Sequence, residues 1–132
     1  MKNIIIYTSP SCGYCKTIKE QFIKENIKFV EKTNKEFQGE WYKVSHLTQI
    51  PVFPTIVIDN EYLVAGRDFQ NPEQAINLVD YIIGPEYKEW PNELLLNERI
   101  KTLNYSINNR FNQLSEILKQ IKEKENEHKK FS

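Results

Sequence analysis

Apolar and polar positions change period several times along the chain, and each change marks an element. Asn3-Ile4-Ile5-Ile6-Tyr7-Thr8 is a β-branched and aromatic run that stops at Ser9-Pro10-Ser11, the pattern of a buried strand entering a loop. From Gly13 to about Glu25 the apolar residues Ile18, Phe22 and Ile23 recur at helical spacing among Lys and Glu. Ile27 to Glu31 alternates weakly and predicts a second strand. Phe37, Trp41, Val44 and Leu47 return to helical spacing, and Pro51 and Pro54 end any helix there. Thr55-Ile56-Val57-Ile58 reads as a short buried strand. Asp59-Asn60-Glu61 is a tight turn, with Tyr62-Leu63-Val64 as the hairpin partner. Asn71-Pro72-Glu73-Gln74 opens a helix, with Asn as the cap and Pro at the first helical position. That helix carries Ile76, Val79, Ile82 and Ile83, and Gly84-Pro85 stops it.

The order βαβ, α, ββ, α predicts an α/β fold. A crossover unit supplies parallel strands and the hairpin adds antiparallel ones. The result is a thioredoxin-like arrangement, a mixed four-stranded sheet flanked by helices, over residues 1–84. Residues 85–132 read as a linker followed by a helical extension. Pro85 to Pro91 is the hinge, and Tyr87 and Trp90 within it suggest packing. From Glu93 to about Glu127 there is neither proline nor glycine, which predicts one long helix. Its apolar residues follow a seven-residue repeat. Leu96, Leu103 and Ile117 fall at one seam position; Ile100, Ile107, Leu114 and Ile121 fall at the other. Arg110 interrupts the first series, and Phe111 and Leu118 widen the stripe. The pattern suits either homo-oligomerisation through residues 93–127 as a coiled coil, or an amphipathic helix folded back on its own domain.

Composition narrows the function. Lys+Arg number 18 and Asp+Glu 18, so no overall field draws in nucleic acid or an anionic membrane, and neither is an expected partner. Ile4-Ile5-Ile6-Tyr7 is the only apolar run near the N-terminus, shorter than a secretory core or a membrane span. The expected location is the cytoplasm. Two cysteines in 132 residues are too few for a disulfide framework, and their spacing suits a working pair.

Cys12 and Cys15 sit where the first strand gives way to the first helix. A thiol attacks only as its thiolate, and an unperturbed thiol, with a pKa near 8.5, is mostly protonated at neutrality. The start of a helix offers unpaired N–H groups and the positive end of the dipole, both of which favour the anion. Cys15, one turn on, is placed to resolve a mixed disulfide formed at Cys12. A zinc site would want four ligands, and His46 and His128 are the only further His or Cys candidates, at no finger-like spacing. No metal is therefore expected.

Three segments together resemble the glutaredoxin family. Tyr7-Thr8-Ser9-Pro10-Ser11-Cys12-Gly13-Tyr14-Cys15-Lys16 resembles the active-site segment of its dithiol members. Val52-Phe53-Pro54-Thr55 resembles the segment whose cis-proline faces the cysteines. Val64-Ala65-Gly66-Arg67-Asp68 resembles the family's Gly-Gly-x-Asp segment. The resemblance covers residues 1–84 and leaves the extension unexplained. It implies that Cys12 is the nucleophile, Cys15 the resolving thiol and Pro54 cis. It further implies that the Phe53 backbone pairs with an extended thiol peptide, that Tyr14 flanks that peptide, and that Gly66, Arg67 and Asp68 hold the γ-glutamyl end of glutathione. The implied partners are glutathione, as reductant, and disulfide-containing proteins.

Three departures bear on the donor. Ser9 stands where many members carry a Lys for the glycyl carboxylate of glutathione, removing a charge-assisted contact. Ala65 replaces the first Gly of the pair, and Gly13 replaces the usual Pro between the cysteines. Ser9 keeps open a rival in which a thioredoxin reductase supplies the electrons. Gly13 is found in members that bind a [2Fe-2S] cluster across a dimer, so an iron–sulfur carrier or assembly module is the alternative from a different class.

Overall fold

The computed structural model describes residues 2–88 and 94–130, with side chains of the last helix as far as residue 126. The elements are β1 (Ile4–Thr8), α1 (Gly13–Lys24), β2 (Val30–Thr33), α2 (Gln38–Thr48), β3 (Thr55–Ile58), β4 (Glu61–Val64), α3 (Pro72–Ile83) and α4 (Leu94–Lys130). The four strands form one sheet in the order β2-β1-β3-β4. β1 pairs parallel to β2 and antiparallel to β3, and β3 pairs antiparallel to β4. This is the α/β, thioredoxin-like arrangement that the element order implies.

Alternation along the strands divides the core between the two faces of the sheet. Ile4 and Ile6 of β1, with Ile56 and Ile58 of β3 and Leu63 of β4, pack against Ile18 and Phe22 of α1 and Ile76 and Val79 of α3. On the opposite face Tyr7 and Val57 pack with Val44 of α2, joined by Trp41 and Tyr62. The capping reading of α3 holds in detail. Asn71 caps it by accepting the Gln74 N–H at 2.8 Å, and Gln74 Oε1 accepts the Gln70 N–H at 2.7 Å.

β2 lies three residues further along than its expected start. Ile27 and Phe29 are apolar because they pack on the α1/α3 core from an irregular segment, and pairing with β1 begins only at Val30. Tyr87 packs on the same core, with Lys2 Nζ 4.0 Å from its ring centroid, and its hydroxyl donates to Glu61 Oε1. Trp90, in the expected hinge, lies outside the described residues.

The chain divides into two compact units, Met1–Thr102 and Leu103–Ser132. The first turns of α4 belong to the first unit and dock on it by polar side chains. Glu98, only 1% exposed, takes Arg67 Nη1 at 2.7 Å and Lys101 Nζ at 3.1 Å. Thr102 Oγ1 donates to Thr48 O at 2.6 Å and Arg99 Nη2 to His46 O at 3.5 Å, supplying partners to carbonyls at the end of α2. Leu96 and Ile100 of the apolar stripe are exposed, so the stripe is not what holds α4 here. The second unit is helix alone through residue 130, and its apolar residues are exposed as well. No described helix is long and apolar enough to cross a membrane.

Candidate active site

The chain leaves β1 at Thr8 and turns through Ser9-Pro10-Ser11, where the Cys12 N–H donates to Ser9 O at 3.0 Å. That turn delivers Cys12 to the N-cap of α1 with an extended backbone. Its sulfur takes the place that a capping oxygen would occupy and accepts the Cys15 N–H at 3.1 Å. The first turn of α1 carries no acidic residue, so nothing there opposes a negative charge on that sulfur. Cys15 is 2% exposed and linked to Cys12 as a disulfide, with Cα atoms 5.3 Å apart. Cys12 is half-buried and Cys15 is shielded from solvent.

A cleft opens at this junction, lined by Ser9 to Gly13, Cys15, Lys16, Lys19 and Glu31. Lys19 Nζ pairs with Glu31 Oε2 at 2.6 Å, and Glu31 Oε1 accepts from Thr8 Oγ1 at 3.2 Å. The Lys19–Glu31 pair is about one-third exposed and contributes little to stability. Its effect is on the local field around the cleft.

The other segments singled out in the sequence are joined to this junction by a series of contacts. The Tyr14 ring stacks on Phe69 at 6.3 Å, and its hydroxyl is buried without a hydrogen-bond partner, so burial raises its pKa. Phe69 follows the 66–68 loop, which returns to the sheet through the Ala65 N–H donating to Pro54 O at 3.3 Å. The Phe53–Pro54 peptide is cis, Pro54 is buried, and the Phe53 ring lies 4.3 Å from that of Trp41. Gly66 takes φ 90°, a conformation that a residue without Cβ adopts freely.

The 66–68 loop is tied down by hydrogen bonds within the protein. The Gly66 N–H donates to Phe69 O, and those of Arg67 and Asp68 donate to Val64 O. The Arg67 side chain, 1% exposed, is engaged inside the protein from all three of its nitrogens. Nε and Nη2 reach Asp68 Oδ2 at 2.9 and 2.7 Å, and Nη2 also reaches Tyr62 O at 2.9 Å. Nη1 reaches Glu98 Oε2 at 2.7 Å and Thr102 Oγ1 at 3.3 Å. Burial works against the charge of Arg67, but Asp68 and Glu98 outweigh it and raise its pKa. Arg67 is thus a buried tie between the 66–68 loop and α4. Sequence reasoning missed Glu98 altogether. A carboxylate in a charged helix carries no local sign that an arginine 31 positions earlier will bury it.

Among the described residues no group of three or more His, Cys, Asp or Glu is arranged to hold a metal ion. Residues 4–63 match the glutaredoxin family model, and the Cys12–Cys15 pair fits its dithiol motif. The matched stretch ends before Gly66. A comparison with curated proteins gives no match. The match and the cysteine pair together support thiol–disulfide oxidoreductase chemistry in this region.

Proposed function

We propose that this chain, with a glutaredoxin domain over residues 4–63, reduces protein disulfides or glutathione mixed disulfides through a Cys12/Cys15 dithiol–disulfide cycle driven by glutathione. The Cys12 thiolate attacks one sulfur of the substrate disulfide; the S–S bond breaks and the first substrate thiol leaves with a proton. Cys15, losing its proton, then attacks Cys12 Sγ. The second substrate thiol is released and Cys12–Cys15 becomes the disulfide seen here. Two glutathione thiols reverse the change, the first forming a mixed disulfide with Cys12 and the second releasing it as glutathione disulfide. Electrons balance, since one disulfide is reduced for each glutathione disulfide formed.

The observation that supports this reading is the placement of Cys12 Sγ at the N-cap of α1, accepting the Cys15 N–H, with Cys15 buried behind it. A sulfur held by an amide at a helix N-terminus is favoured as its anion. The disulfide substrate would approach over the Phe53–Pro54 segment, with Tyr14 and the Gly66–Asp68 loop as flanking walls. Asp68, 16% exposed, remains the acidic candidate for the amino end of glutathione.

The test is thiol alkylation against pH on the reduced wild type, Cys12→Ser and Cys15→Ser. The fast reaction should persist to lower pH than for an ordinary thiol, survive in Cys15→Ser and vanish in Cys12→Ser. Equal reactivity of the two sulfurs would refute the assigned roles. Turnover of a mixed disulfide with glutathione and its reductase checks the donor. Turnover only with a thioredoxin reductase would retain the cycle and replace glutathione.

A further inference from the structure

We propose that α4 is an antiparallel self-pairing helix, joining two copies of this chain across its exposed apolar stripe. The docked and exposed faces of α4 lie opposite each other. With Ile100 and Ile107 at one seam position and Leu96 and Leu103 at the other, Glu98 falls at the point of the seven-residue repeat farthest from the seam. Lys101 and Thr102 flank Glu98 on the docked side. Docking through these polar groups leaves Leu96 and Ile100 exposed within the first unit. Nine large apolar residues between positions 96 and 121 are each 46–67% exposed. Together they offer on the order of 1,000 Å² per copy, against about 800 Å² per partner in a stable interface of standard size.

The occupant and its direction follow from charge. A seam that keeps a seven-residue period over more than three repeats is built for another helix with the same period. The face opposite the stripe also lacks the Lys/Arg enrichment of a helix lying on a membrane: Asn108, Asn109, Asn112 and Ser115 occupy its middle. In a parallel pair each seam residue meets its own copy, so Arg110 would face Arg110 in the centre of the apolar layer stack. Such a buried like-charge contact is strongly unfavourable. In an antiparallel pair the two seam series face each other, and one register matches the stripe from end to end. Leu96 faces Ile121, Ile100 faces Ile117, and Leu103 faces Leu114 of the second copy. Arg110 then lies against Ile107, where its long stem covers apolar surface and its head reaches water. On the flank, the same register brings Glu116 within a turn of Arg99 of the other copy. The contact is isologous and closes at two.

The test is sedimentation equilibrium of the full chain with charge pairs at one layer. Wild type is expected to be a dimer at micromolar concentration. Leu103→Glu/Leu114→Glu and Leu103→Lys/Leu114→Lys should each weaken it at least tenfold. Leu103→Glu/Leu114→Lys should dimerise at least tenfold more tightly than either, because only the antiparallel register sets Glu against Lys. Spin labels in full-length Cys12→Ser/Cys15→Ser fix the direction independently. Labels at Asn109→Cys should lie close together, and labels at Glu123→Cys about 40 Å apart at 1.5 Å of rise per residue. A monomeric wild type, a larger oligomer, equal weakening in all three charge variants, short distances at both labels, or vesicle binding without self-association would each overturn the proposal.

Discussion

Replacing Arg67 by alanine tests how α4 is held. Arg67 and Glu98 have side chains 1% exposed, so neither charge has water to fall back on. The substitution leaves Glu98 with Lys101 as its ion-pair partner, itself about one-third exposed, and strips a donor from Asp68 Oδ2 and Tyr62 O. Breaking a buried pair from one side costs about 3–5 kcal/mol. A chain of this size would then melt roughly 10–20 °C lower. The first turns of α4 provide a cheaper escape, since undocking hydrates Glu98, and that route caps the loss at the docking free energy of α4. Urea unfolding gives the total, and hydrogen exchange over 94–102 separates the two routes. Glu98→Ala completes a double-mutant cycle, whose expected coupling is about 2–3 kcal/mol. Arg67→Lys should recover little, because an ammonium cannot supply a planar fork of five donors. A loss below about 1 kcal/mol for Arg67→Ala, with unchanged protection over 94–102, would refute the claim that this network anchors α4.

Two further outcomes are expected. Burial first, and then Glu40 and Tyr62, push the Tyr7 hydroxyl up to about 12 from its ordinary value of 10.0, and burial raises Tyr14 and Tyr62 in the same direction. Above pH 10 the unfolded chain therefore releases phenolic protons that the folded chain keeps. The contribution of Tyr7 should be intact below pH 10 and be lost between about 10 and 12, by up to about 1.4 kcal/mol per pH unit, with Tyr14 and Tyr62 acting in the same direction. Tyr7→Phe should remove one proton from that alkaline slope in pH-dependent urea unfolding, and an unchanged slope would contradict the assignment. Asn71→Ala should cost about 1 kcal/mol through loss of the α3 cap, while Asn71→Gly should cost only a few tenths. A loss of only a few tenths for Asn71→Ala would show that the cap bond contributes nothing.

The segment from β1 to α1 was legible because each step has a local cause. A β-branched run makes the strand, Ser-Pro-Ser the turn, and helical spacing of Ile18 and Phe22 the helix. The hairpin at Asp59-Asn60 and the Asn71-Pro72 cap read out for the same reason. β2 did not, because Val30 is exposed at a sheet edge while the apolar Ile27 and Phe29 beside it pack from irregular chain. A hydrophobic pattern reports burial, and at that point burial and pairing belong to different residues. The burial of Arg67 was less legible still. Its neighbours in sequence suggested a loop facing a ligand, whereas its environment is set by Glu98 and Thr102 on a helix beyond α3. No periodicity carries a contact of that kind.

The polarity of the docked face of α4 follows from what it covers. β4 is the last strand of the sheet, so the outward Tyr62 carbonyl has no strand to pair with. Arg67 Nη2 and Lys101 Nζ donate to that oxygen at 2.9 and 3.2 Å. A helix docked by its leucines would bury the carbonyl with no donor, at a cost of about 1–3 kcal/mol. It would also leave the end of α2 without the Thr102 hydroxyl now bound to Thr48 O. The opposite edge is handled differently. β2 is only four residues long, and its Glu31 and Lys32 are engaged in ion pairs with Lys19 and Glu40. One edge is kept from pairing with other chains by brevity and charge, the other by a helix whose contact side must carry donors. With that side of its first turns committed to hydrogen bonds, Leu95, Leu96 and Ile100 are left exposed.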